Sequence, residues 1–81
     1  MMTPATCRAA RGLVGLTQAE LATAASVGLS TVRNYENEAY IPIEKNLAAI
    51  ESALIATGIE FLGAGNSSDG GGPGVRLTAK D

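Results

Sequence analysis

The segment Gln18–Asn37, QAELATAASVGLSTVRNYEN, carries two short helical patterns separated by a turn too tight for most other folds. Thr17, Gln18, Ala19 and Glu20 form a capping box, in which the Thr17 hydroxyl accepts from the Glu20 amide and Glu20 reaches back, so a helix is predicted to begin at Gln18. Leu21, Ala22 and Ala25 fall on one face of that helix, and Val32 and Tyr35 share one face of the next. Ala22 and Val32 are the informative pair. Two helices that cross steeply through a three- to four-residue turn need a very small residue on the first and a branched apolar residue on the second.

Outward from this segment, Pro4–Val14 reads as a first helix with Ala10 and Val14 facing inward, and Gly15 and Leu16 lead into the capping box. After Asn37, EAYIP is a loop, and Pro42 opens a further helix over about 43–57. Leu47, Ile50 and Leu54 form its apolar stripe, and Gly58 is placed to stop it. Beyond it, IEFL (59–62) and VRLT (75–78) alternate around the glycine-rich GAGNSSDGGGPG (63–74), which predicts a β-hairpin. An isolated two-stranded ribbon is marginal in water, so it needs a helix face or another chain to cover it.

Gln18, Ala19, Glu20, Leu21, Ala22, Val32, Glu36 and Asn37 together resemble the phage-repressor helix-turn-helix family, the Cro/cI or xenobiotic-response-element regulators, over roughly Thr6–Leu54. The resemblance implies a mainly α fold: a four-helix repressor-like domain over 1–58, with its motif at 18–37, followed over 59–81 by a C-terminal β-ribbon and a flexible Gly-rich tail. It also implies dimerisation through that tail, with Ile59, Phe61, Leu62, Val75 and Leu77 as the contacts, and double-stranded DNA as the partner.

In this family the second helix of the motif lies in the major groove and the first spans the backbone. On that basis Leu29, Ser30, Arg33 and Asn34 are expected to read bases. Asn34 suits adenine, Ser30 several bases, Leu29 a thymine methyl, and Arg33 either guanine or phosphate. Phosphate contacts fall to Gln18 at a helix N-terminus and to Asn37, with Thr31, Tyr40 and Lys45 as further candidates. Tyr40 has a second reading, as a cover for the core edge. Arg11 and Glu36 match positions where an ion pair ties the first helix to the end of the recognition helix. Three residues depart from the family pattern: Ser26 stands where the turn usually has Gly, Gly28 where a Ser or Thr caps, and Glu38 where Gly is common.

Eighty-one residues, 46% hydrophobic but only 4% aromatic, can bury a modest core, so a second chain is expected to add stability. The net charge of −2 is unusual for a protein that binds phosphates. Its distribution eases this, because over 1–50 four basic residues balance four acidic ones and the excess acidity lies in the tail. The single Cys7 reads as a small core hydrophobe, and MMTPATCRAARG has no long apolar run, so a reduced cytoplasmic protein is expected. With no His, no metal-ligand cluster, no phosphate loop and no nucleophile beside a base, neither an enzyme nor a cofactor is expected. Two functions fit: a transcriptional regulator, as a repressor binding a palindromic operator as a homodimer, or a helix-turn-helix interaction module, antitoxin-like or antiactivator, that acts on another regulator.

Overall fold

The computed structural model describes residues 2–63 and 72–78, so the segment 64–71 within the glycine-rich stretch lies outside the described residues. Four helices precede a two-stranded antiparallel sheet: α1 (Pro4–Val14), α2 (Gln18–Ala25), α3 (Leu29–Glu36), α4 (Glu44–Ile55), β1 (Ile59–Leu62) and β2 (Gly74–Leu77). Helix α2 packs on both α3 and α4, while the sheet closes the other side by laying β2 on α1 and β1 on α4. The core between them is Cys7, Ala10, Leu21, Ala22, Ala25, Val32, Tyr35, Ile50, Leu54 and Ile59. Ala22 and Val32 are both buried in it, as the steep crossing of α2 and α3 requires.

Helix starts follow side-chain caps where the sequence supplies them. Thr17 and Glu20 form the expected capping box on α2, at 3.0 Å and 2.9 Å. Thr3 and Thr6 form a second one on α1, where the Thr6 amide donates to the Thr3 hydroxyl at 3.1 Å and the Thr3 amide to the Thr6 hydroxyl at 2.8 Å. Helix α4 starts one residue later than the pattern predicts, because Ile43 is its uncapped N-cap with Pro42 buried before it. It also ends two residues early. The Thr57 hydroxyl donates to the Leu54 carbonyl at 2.6 Å, and Gly58, at φ +100°, turns the chain into β1.

Helix ends show where the sequence departs from ideal chemistry. Helices α1, α2 and α3 each finish on a left-handed residue, Gly15, Ser26 and Glu38 respectively, and two of the three are not glycine. After α2, Val27 N–H donates to the Ala22 carbonyl and Ser26 N–H to the Thr23 carbonyl. After α3, Ala39 N–H donates to the Asn34 carbonyl and Glu38 N–H to the Tyr35 carbonyl. Both are complete Schellman motifs, so the backbone is satisfied while Ser26 and Glu38 carry the Cβ penalty.

In the hairpin, Ile59 faces Leu77, Glu60 faces Arg76, Phe61 faces Val75 and Leu62 faces Gly74. The second strand is therefore Gly74–Leu77 rather than Val75–Thr78. Thr78 leaves the ladder and uses its amide and hydroxyl on the Gly58 carbonyl, at 2.7 and 3.0 Å. Directly opposed residues share a face, which puts Ile59, Phe61, Val75 and Leu77 together on the side toward the helices. Glu60 and Arg76 pair on the other side at 2.9 Å, exposed to solvent.

Candidate nucleic-acid interface

Helix α3 is divided lengthwise. Val32, Tyr35 and Glu36 are buried, spaced i, i+3 and i+4, so the helix has one committed face. Ser30 and Arg33 are exposed on the opposite side, with Asn34 half-buried beside them and Asn37 exposed at the C-cap, while Leu29, 37% exposed, and the half-buried Thr31 flank the buried face. Its N-cap is Gly28, which offers no side-chain hydrogen bond, and the helix still starts at Leu29 because the Ser26 and Val27 amides close the preceding turn. Of the four residues expected to read bases, Ser30, Arg33 and Asn34 therefore share the outward side and Leu29 stands at its edge.

The inner face is held by one carboxylate. Glu36 is 1% exposed, and its Oε2 accepts from Arg11 Nε at 2.7 Å and from the Cys7 thiol at 3.2 Å. Its Oε1 accepts from Arg11 Nη2 at 2.7 Å and from the Gln18 amide at 3.0 Å. Arg11 Nη1 completes its own set on the Leu16 carbonyl at 3.0 Å. The Arg8 guanidinium donates to the backbone carbonyl of Glu36, placing a cation at the C-terminus of α3 where the helix dipole favours it. Three residues of α1, one of α2 and the end of α3 thus converge within a single polar cluster. Among the described residues no buried side-chain nitrogen or oxygen lacks a partner.

This arrangement fixes the protonation states. Burial by itself raises the pKa of Glu36, but the hydrogen bonds from Arg11, Gln18 and Cys7 outweigh it and hold the carboxyl below its ordinary value. The Arg11 guanidinium is pushed up by its bond to Glu36. Burial, reinforced by the bond to Glu36, pushes the Cys7 thiol far up, so it remains a neutral donor. Burial likewise pushes Tyr35 up to about 12.

The phosphate candidates separate. The Gln18 side-chain amide donates once to Glu36, and its backbone N–H stands at the first position of α2, where helix N–H groups have no partner within the helix. Asn37, Tyr40 and Lys45 are exposed and Thr31 is half-buried. Tyr40 lies with Glu38 and Ile41 along an apolar groove walled by Met2, Pro4, Tyr35 and Leu47. Of the described basic residues, Arg8 and Arg11 bond Glu36 and Arg76 pairs with Glu60, while Arg33 and Lys45 have no ion-pair partner among the described residues.

Among the dimer contacts expected from the sequence, Ile59 needs a correction. Ile59 is 1% exposed and belongs to the core of its own chain, because the hairpin folds back onto α1 and α4. Phe61 and Val75 pack partly against that core, Leu62 is half-buried and Leu77 is exposed. Two participants escaped sequence reasoning. Arg8 and Cys7 contact Glu36 from 28 and 29 residues away, and helical spacing from Arg11 was the one signal for Arg8, a single turn earlier on the same helix.

Among the described residues no group of three or more His, Cys, Asp or Glu could hold a metal ion, and no helix is long and apolar enough to cross a membrane. The model of a family described as helix-turn-helix matches residues 8–61, well over half of the chain. No curated protein matches it closely enough to count as a relative.

Proposed function

The chain belongs to this helix-turn-helix family, of the Cro/cI type, a family of DNA-binding regulators, and from that membership we propose that it is a sequence-specific repressor that binds a palindromic operator as a homodimer. The observation that carries the proposal is the division of α3: Ser30, Arg33 and Asn34 face outward, with Leu29 at their edge, while Glu36 ties the helix down from behind. A helix held on one side and free on the other can enter a major groove without rearrangement. In this reading Asn34 pairs with adenine, Ser30 and Arg33 contact neighbouring base edges, and Leu29 covers a thymine methyl. Thr31, Asn37, Tyr40, Lys45 and the backbone amide of Gln18 hold phosphates and set the register.

With two cations per chain that have no ion-pair partner among the described residues, one domain alone has little electrostatic affinity, and a second copy doubles it. In this reading the exposed Leu77 and the half-buried Phe61, Leu62 and Val75 of the hairpin meet that copy. The test is an electrophoretic shift of the duplex upstream of the protein's own gene at two salt concentrations. Binding that weakens with salt and, in Asn34→Ala, loses its preference for this duplex over unrelated DNA supports the proposal. A dimer by light scattering that shifts no DNA at low salt overturns it in favour of a module that binds another regulator.

A further inference from the structure

Among the described residues an apolar groove lies beside the proposed base-reading residues and contains none of them. It has a volume of about 430 Å³, with Met2, Pro4, Tyr35 and Leu47 as walls and Tyr40 and Ile41 as the lip. The apolar surface does not stop at the groove. Ile41 is 81% exposed and Ile43 67%, so it continues along the loop between α3 and α4, longer than a small enclosed ligand would require. An apolar surface of this kind, rimmed by polar groups, marks a contact site.

The rim is acidic. Glu38 lines the groove, and it stands there at φ +61°, a backbone state that costs a side-chain-bearing residue free energy. Glu51 lies one helical turn beyond Leu47 on the same side of α4, which places a second carboxylate along from that wall. Neither carboxylate has an ion-pair partner among the described residues, where the pairs are Arg11–Glu36 and Arg76–Glu60.

An apolar trough with one carboxylate in its lining and a second a helical turn beyond Leu47, neither ion-paired among the described residues, matches a helix with an apolar stripe flanked by lysine or arginine. We infer that this groove is the docking site of a protein partner that presents a basic amphipathic helix. Because Glu38 and Tyr40 lie on the segment that follows Asn37, the docked helix also obstructs DNA. That last step rests on the proposed orientation of α3, whereas the docking does not.

The experiment uses the full chain and two synthetic amphipathic peptides with leucine at i, i+3, i+4 and i+7, one flanked by lysine and the other by glutamate. Binding is read first without DNA, by amide chemical shifts. The lysine peptide is expected to bind with shifts at Tyr35, Glu38, Tyr40, Ile41 and Leu47, and the glutamate peptide to bind roughly tenfold more weakly or less. Ile41→Asp, at an exposed position that leaves folding intact, weakens the lysine peptide roughly tenfold, and Glu38→Lys reverses the preference between peptides. Equal binding of both peptides, shifts elsewhere, or indifference to Ile41→Asp overturns the inference. Groove shifts that grow with protein concentration before any peptide is added assign the site to a second copy instead, which also overturns it. Addition of the upstream duplex is then expected to displace the peptide; peptide binding that persists beside bound DNA removes the obstruction but leaves the docking standing.

Discussion

The guanidinium of Arg11 grips both oxygens of Glu36, with Nε 2.7 Å from Oε2 and Nη2 2.7 Å from Oε1. A buried bidentate pair contributes little net stability over a well-packed apolar substitute, yet removal of one member strands the other charge. Glu36→Ala is therefore expected to cost about 3–5 kcal/mol. The double variant Arg11→Met, Glu36→Leu is expected to recover much of that loss. Urea unfolding measures both. A cost below about 1 kcal/mol for the single variant would mean that water, not protein, already solvates the pair.

The same carboxylate sets an acid limit. Its folded pKa lies below the ordinary value, so its contribution is complete above about pH 4.3, the unfolded glutamate value, and is lost as the pH falls through the folded one. Unfolding free energy should therefore decline below about pH 4 in the native chain. In Glu36→Gln that part of the decline should be missing. An identical acid limb in the two proteins would assign it to other carboxyls.

Ser26 and Glu38 occupy left-handed backbone states without being glycine. Ser26→Gly and Glu38→Gly relieve that strain and lose part of the gain to a more flexible unfolded chain, for a net stabilisation of about 0.5–1 kcal/mol each. In a domain of this size that raises Tm by about 2–8 °C. Calorimetry of the two variants decides it, and a lowered Tm would show that the side chains make compensating contacts.

Electrostatics limits DNA affinity in a countable way. Arg33 and Lys45 are the described cations without a partner among the described residues, so the slope of log Kobs against log salt is expected near −2 per subunit. Lys45→Ala should reduce its size by about 1 and weaken all sequences alike. Asn34→Ala should leave the slope in place and erase preference between sequences. Fluorescence anisotropy across a salt series separates these behaviours.

Cys7 is fully buried, and its thiol, pushed up by burial and by donation to Glu36, has almost no thiolate at neutral pH. It is expected to resist iodoacetamide in the native protein and to react in denaturant. Rapid labelling of the folded chain would show that α1 opens locally.

What could be foreseen was local. The Thr17–Glu20 box, the Ala22 and Val32 spacing and the Leu47, Ile50 and Leu54 stripe each write their structure into a few neighbouring residues. The outward face of α3 follows as the complement of Val32, Tyr35 and Glu36. The Thr3–Thr6 box went unread because a threonine in place of glutamate at the fourth position is a weaker signal. The Cys7 and Arg8 contacts with Glu36 depend on how two helices cross, and no period in the chain encodes that. The strand register slipped by one residue because glycine at position 74 shows no alternation, and Thr78 found a better acceptor in Gly58.

The position of Ile59 has a consequence for anyone wishing to dissect the molecule. A cut after Gly58 looks natural on paper, since the helices end there and the glycine-rich stretch is near. Such a fragment would lose a side chain that is 1% exposed and would leave a hole bounded by Leu54 and Ile50. Loss of a buried isoleucine costs about 2–5 kcal/mol, against about 5–15 kcal/mol for the whole stability of a small domain. The first strand is a keystone of the helical half, and a minimal fragment that still offers α3 to DNA has to keep it.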